Sequence, residues 1–456
     1  MRFSLVLFLS VLLVAGFLSC QRQAGTDLRI PVVFYTMDNG LKVVLSQDRT
    51  SPTVGVGVYY NIGFRLEPRD RTGFAHLFEH MMFQGSRNLG KMEFIKLVEK
   101  NGGIVVGSTR FDFTNYYQIV PSHKLETILW AEADRMRGLD ITQENLANQQ
   151  GVVMNEVKVN VLNQPYGGFP WLDLPQAAFT NWYNAHNFYG ELDDLKAATL
   201  EDVKVFFKTY YAPNNAALAV VGDFEMADAK ALIQKYFGSL PRVDQPQKLD
   251  LKEPRQESRR RVTRMDPLAN KPALAFGYQM PPRFTPEYFA MGLIDQILLQ
   301  GDDARLRDAL VQQRGWTGSV SGGINADLGN MFNYSGPMLW SASLIHDQSI
   351  TPDQIIAVVD SVVGTLTSKP VDGETLQRAR TKFRSRFYDM IGEMVGLGKL
   401  DLLASFALFD NDPSKVNAVD AEVSKVTPEL IQKTAQEYLR PTNQTVVALT
   451  VNAGSR

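Results

Sequence analysis

The sequence holds a single cysteine, Cys20, among its 456 residues. That excludes a disulfide-stapled scaffold and any site built from a cysteine cluster. An excess of one charge is also missing: 47 Lys and Arg stand against 49 Asp and Glu, a formal net charge of -2. Such a balance carries no electrostatic footprint for a nucleic-acid partner. Low-complexity tracts are absent, and with 34 Gly and 22 Pro the usage of both is near average, so the body of the chain reads as ordered protein. Histidine is scarce, five in all, which makes any clustering of it informative.

The chain is 45% hydrophobic and 21% charged, and it is long enough for two or more domains, each with its own core. Its start, "MRFSLVLFLSVLLVAGFLSC", has one Arg, an apolar stretch from Phe3 to Leu18 and a small Ser19 before Cys20. Residues 1–19 are expected to be a secretory signal peptide, shorter than most membrane-spanning helices. "FLSC" resembles a bacterial lipobox, in which the thiol is acylated after cleavage. The expectation is an exported lipoprotein of the bacterial periplasm, touching a membrane only through a lipid anchor on Cys20. Gln21 is not the Asp that often retains such proteins at the inner membrane, which favours the outer one.

Residues 41–48 and 53–63 read as strands, 90–103 as a helix closed by a Gly pair, and 114–121 as a strand stopped by Pro121. Two amphipathic helices are expected over 122–140 and 142–163. Then come a helix ending before Pro213, a strand over 217–224 and a helix over 226–242. An internal repeat organises these elements. "TLEDVKVFFKTYYAPNNAALAVV" has a counterpart in "TPELIQKTAQEYLRPTNQTVVAL", with Thr199, Pro213 and Asn215 aligned on Thr427, Pro441 and Asn443 at a constant offset of 228. "ITQENL" and "VDGETL" pair at nearly the same offset. An α+β fold follows, built from two homologous halves over 29–240 and 257–456, with the polar, Pro-bearing stretch 241–256 as linker. The basic run of Arg259, Arg260 and Arg261 is expected to be a solvated face.

Two histidines and a glutamate share five positions of "GFAHLFEHMMFQGS". On a helix, His76 and His80 lie on one face at i and i+4, and Glu79 at i+3 stands on the same side. Two imidazoles suit a borderline-soft ion such as zinc, and a carboxylate beside them that does not ligate can move a proton. Catalytic zinc commonly has three protein ligands, so a third is owed.

H-x-x-E-H is the inverted zinc motif, and "GFRLEPRDRTGFAHLFEHMMFQGS" resembles the pitrilysin/insulinase metallopeptidases, particularly their bacterial and mitochondrial-processing-peptidase-like branch. The likeness extends through "STRFDFTNYY", "HNFYGELDDL" and "YYAPNN". It implies a third ligand at Glu156 in "GVVMNEV", 76 residues after His80. It also implies two α/β sandwich halves closing clamshell-like on a cleft, the second half degenerate, with Arg386 near the position equivalent to Glu156. The implied activity is a zinc-dependent endopeptidase acting on peptides or unfolded proteins, with one Zn2+ per chain on His76, His80 and Glu156 and Glu79 as general base. Substrate would pair with the edge segment 102–109, which holds Val106, and Arg305 of the second half would help to hold it.

Three positions depart from the family pattern. Val106 replaces the usual Asn of the edge strand, Gln149 stands where some relatives carry a second Glu, and Gly318 stands where a substrate-binding Tyr is common. These departures keep an alternative open, a weakly active or non-catalytic peptide-binding subunit, and a homodimer or a heterodimer with a homologous chain is expected. The remaining singular residues have plainer expectations. His123 should be a solvated first-turn residue and His346 a loop or strand-end residue; Trp171, Trp182 and Tyr183 are expected to pack in the core. His186 matches a family position and is expected to serve packing.

Overall fold

The computed structural model describes residues 29–393 and 397–451. The expected signal peptide and Cys20 lie outside the described residues. No helix among the described residues is long and apolar enough to cross a membrane.

Six strands form the first sheet: β1 (Val33–Thr36), β2 (Lys42–Gln47), β3 (Thr53–Tyr60), β4 (Ile104–Thr109), β5 (Thr114–Pro121) and β6 (Ala216–Gly222), in the order β1-β2-β6-β3-β5-β4. The near-continuous apolar run of β3 is buried from Val54 onward, as a central strand covered on both faces requires. The second sheet contains β7 (Arg260–Asp266), β8 (Ala273–Gln279), β9 (Ser321–Ile324), β10 (Leu339–Ile345) and β11 (Gln444–Val451), in the order β7-β11-β8-β10-β9. Each sheet has one parallel pair, β2 with β6 and β7 with β11, followed by antiparallel neighbours. The second sheet thus repeats the first, without a counterpart of β1 among the described residues.

The repeated sequence has the same local work in both halves. Thr199 caps the helix Leu200–Tyr210 by accepting from the Asp202 N–H, and Thr427 caps Pro428–Tyr438 by accepting from the Leu430 N–H. At the far ends Asn215 donates to the Tyr210 carbonyl at 2.9 Å and Asn443 to the Tyr438 carbonyl at 2.6 Å. A short turn opened by Pro213 or Pro441 then delivers the chain to β6 or β11.

Each half also lends a helix to the other's sheet. The helix Leu397–Asp410 packs on β3 and β6, while Asp173–Ala178 packs on β8 and β11. The sheets make room with glycine: a Cβ at Gly57 would sit 2.6 Å from Leu400 Cδ2, and one at Gly277 3.0 Å from Leu174 Cδ2. Polar contacts cross as well. Buried Arg65 pairs with Asp112 at 3.0 Å and donates to the Pro337 carbonyl at 2.7 Å, and Asp112 accepts from the Ser335 N–H at 2.8 Å.

Residues 241–259 contain no helix or strand. Their Glu253 accepts hydrogen bonds from the backbone of Thr180 and Asn181 and from Asn184. The basic run ends in β7 with each guanidinium occupied: Arg259 on Asp360, Arg260 on the Ala178 carbonyl and Arg261 on Asp353.

Candidate active site

The helix Phe74–Met81 carries the candidate residues, and its apolar positions Phe74, Leu77, Phe78 and Met81 follow the i, i+3, i+4, i+7 pattern into the core of the first half. Burying each of these side chains contributes about 1.5–3 kcal/mol. Gly73 precedes the helix with φ 82° and offers no side-chain cap. Glu67 serves instead: its buried carboxylate accepts from the Gly73 N–H at 2.9 Å and the Ala75 N–H at 2.7 Å. Burial raises the Glu67 pKa, and His186, with Nε2 3.7 Å from Glu67 Oε2, partly offsets it. His186 stacks on Trp182 with ring centroids 4.2 Å apart. Its packing therefore supports the carboxylate that starts the helix.

The helix Gln143–Val157 lies against this one and brings Glu156 to the two histidines. His76 Nε2 is 3.3 Å from His80 Nε2 and 3.6 Å from Glu156 Oε1, and His80 Nε2 is 3.4 Å from Glu156 Oε2. Ligand atoms of all three lie within 4.8 Å of one another. The donor set, two imidazole nitrogens and a carboxylate at close range, fits a single zinc ion. Electrostatics follow from the same contacts. A hydrogen bond from His80, with help from His76 and Tyr189, holds the Glu156 pKa at about 2. Burial lowers His76; on His80 burial acts in the same direction but is outweighed by Glu156 and Glu79, so its pKa is raised.

Glu79 does not join the cluster of donor atoms. Its Oε2 accepts from the Thr109 hydroxyl at 2.7 Å, on the edge strand β4. A Cβ at Gly107 would lie 3.4 Å from Glu79 Cγ, so the helix sits directly on that strand. Side chains alternate along β4, which puts Val106 on the other face, 37% exposed.

Arg305 stands apart from these groups: its guanidinium donates to Thr365 at 2.6 Å. Gly318 lines an open cavity of about 600 Å³ together with Tyr166, Phe169, Trp316 and Ser343, and nothing lies within 4 Å of where its Cβ would be. Gln149 is buried and acts on His80 through its side chain. His123 is exposed in a short turn, and His346 follows β10, buried at the strand end. Trp171, Trp182 and Tyr183 are half-buried, and Trp171 packs on Tyr189 at 5.4 Å.

Sequence reasoning missed Glu67, Thr109 and Tyr189. Tyr189 donates to Glu156 Oε1 at 2.8 Å and packs its ring on His76. Only Thr109 left a readable signal, since a period of two from Gly107 puts it on the helix-facing side of β4.

Two family models match the chain: Insulinase (Peptidase family M16) over residues 42–166 and Peptidase M16 inactive domain over 197–383, together more than half of it. Among curated relatives, the zinc protease PqqE of Helicobacter pylori is 25% identical over 91% of this chain and 91% of its own. The mitochondrial-processing peptidase subunit beta of Bos taurus is 25% identical over 48% of this chain and 44% of its own. Among solved structures, a protease from Helicobacter pylori superposes with TM-score 0.84 at 23% identity, covering 92% of this chain and 100% of that one. The periplasmic protease PqqL from Escherichia coli gives 0.74 at 16% identity, covering 94% of this chain and 48% of that one.

Proposed function

The chain belongs to the insulinase family, peptidase family M16, and from that premise we propose that it is a zinc-dependent endopeptidase that hydrolyses peptides or unfolded proteins. The observation that carries this reading is the convergence of His76, His80 and Glu156 ligand atoms within 4.8 Å beside a glutamate that is not one of them. Zinc held by these three would supply Lewis acidity, lowering the pKa of a water and polarising the scissile carbonyl. Glu79 takes the proton of the attacking water and returns it to the leaving amine; with Oε2 engaged by Thr109, Oε1 is the oxygen left for it. The outer edge of β4, unpaired among the described residues, takes the substrate backbone as an added strand, with Val106 on its exposed face.

Purified chain should carry about one zinc and cleave an unfolded fluorogenic peptide, and His76→Ala or His80→Ala should lose most of both. Undiminished zinc in His80→Ala would remove the ligand assignment, and a zinc-loaded wild type without hydrolysis would remove the peptidase reading. A second reading, a subunit that works with a homologous chain, is favoured by the open space at Gly318 and by the relative named as a processing-peptidase subunit. Titrating a homologous partner while following mass by light scattering separates the two.

The periplasmic relative and the lipobox-like "FLSC" support export with a lipid on Cys20. Cys20→Ser should then release soluble protein or stall processing, whereas unchanged mass and fractionation would exclude the anchor.

A further inference from the structure

Thr109 is buried, 6% exposed, and its hydroxyl has a single proton to give. Two acceptors are in reach, Glu79 Oε2 at 2.7 Å and the Ala75 carbonyl at 3.4 Å. The shorter contact goes to a carboxylate and is the stronger one. Gly107, two residues earlier on the same face of β4, lies beside the Glu79 stem: a Cβ there would stand in ordinary contact with Glu79 Cγ at 3.4 Å and more tightly against Phe83 Cε2 at 3.2 Å. A smooth patch of strand followed by one hydroxyl thus defines where the Glu79 carboxylate rests. The opposite face of the strand exposes Ile104 and Val106, and among the described residues no strand pairs with its outer edge.

We propose that Thr109 is the positioning residue for Glu79, tying the base to the same strand that receives the substrate; this rests on the peptidase reading above. A peptide added to the edge of β4 and a carboxylate hydrogen-bonded to that strand share one rigid reference. The distance between the proton acceptor and the scissile bond is then set within β4 and does not depend on how closely the second half approaches. Without the hydroxyl, Glu79 is free to turn on its own side-chain torsions, and displacement of about 1 Å at a reacting group costs on the order of 100-fold.

The test uses the full chain with zinc content measured throughout. Thr109→Val keeps the β-branched shape and removes only the hydroxyl; Thr109→Ser keeps the hydroxyl. Steady-state hydrolysis of a fluorogenic unfolded peptide should show kcat lowered by about 10- to 100-fold in Thr109→Val, with KM and zinc near wild type. Thr109→Ser should recover most of the loss. A Thr109→Val enzyme with wild-type kcat overturns the proposal, as does a Thr109→Ser enzyme equally impaired or a loss that falls on KM or zinc. A wild type that binds zinc but cleaves nothing overturns the peptidase reading itself, so the two failures are told apart.

Discussion

Tyr189 and His76 approach the same oxygen of Glu156: the tyrosine hydroxyl donates to Oε1 at 2.8 Å, and His76 Nε2 lies 3.6 Å from it. The Tyr189 ring also stands edge-on to the His76 ring, centroids 5.2 Å apart. One side chain therefore orients two of the three groups in the cluster. Burial and the bond to Glu156 push the Tyr189 hydroxyl pKa up to about 12, so it remains a donor at any working pH.

Tyr189→Phe keeps the ring and deletes the hydroxyl. Zinc affinity should fall by about 10- to 100-fold, the usual effect of losing a partner that orients a ligand. Competition against a chelator of known affinity measures it, and unchanged affinity would mean that Glu156 is held without Tyr189.

Glu79→Gln separates binding from chemistry, because the amide matches the carboxylate in size and leaves the two histidines and Glu156 intact. Zinc should stay at about one per chain while peptide hydrolysis falls by roughly 10²- to 10⁴-fold. Near wild-type cleavage would show that another group moves the proton.

Much of this arrangement was readable because it is local. The motif reads as helical, and helix geometry alone puts His76 and His80 on one side. Thr199 and Asn215, with Thr427 and Asn443, mark the duplication since each cap and tie acts within a few residues of chain. Boundaries slipped where tertiary contacts decide them. The expected strand 53–63 ends at Tyr60, where the chain turns back as the Ile62 N–H meets the Tyr60 carbonyl, and the expected helix 142–163 loosens into a π turn over Lys158–Leu162. The pairing of Glu79 with Thr109 and of Glu156 with Tyr189 depends on how a strand and a loop settle against the helices, which no periodicity encodes. The exchanged helices were illegible for the same reason, since Gly57 and Leu400 meet only in the folded protein.

That exchange has a measurable consequence for stability. Leu400 is fully buried against Gly55 and Gly57 of β3, so Leu400→Ala should leave a cavity between the halves and cost about 2–5 kcal/mol. Denaturant unfolding followed by tryptophan fluorescence would register a lower midpoint with one cooperative transition. A midpoint at the wild-type value would mean that the helix Leu397–Asp410 is a loose cover on the first sheet.

Gly318 offers the sharpest probe of the second half. Its backbone lies outside the left-handed region, no atom of the described residues beyond its chain neighbours lies within 4 Å of where a Cβ would stand, and the cavity it lines holds about 600 Å³. Gly318→Tyr should enter free space without strain and, if the peptide lies along this segment, give it an additional ring and hydroxyl. Such a contact, made equally in the ground and transition states, lowers KM and leaves kcat unchanged. A several-fold drop in KM with unaltered zinc and melting temperature is expected. If KM does not move, the segment from Gly315 to Ser319 lies away from the bound peptide, and the substrate is gripped by the edge of β4 with little help from the second half.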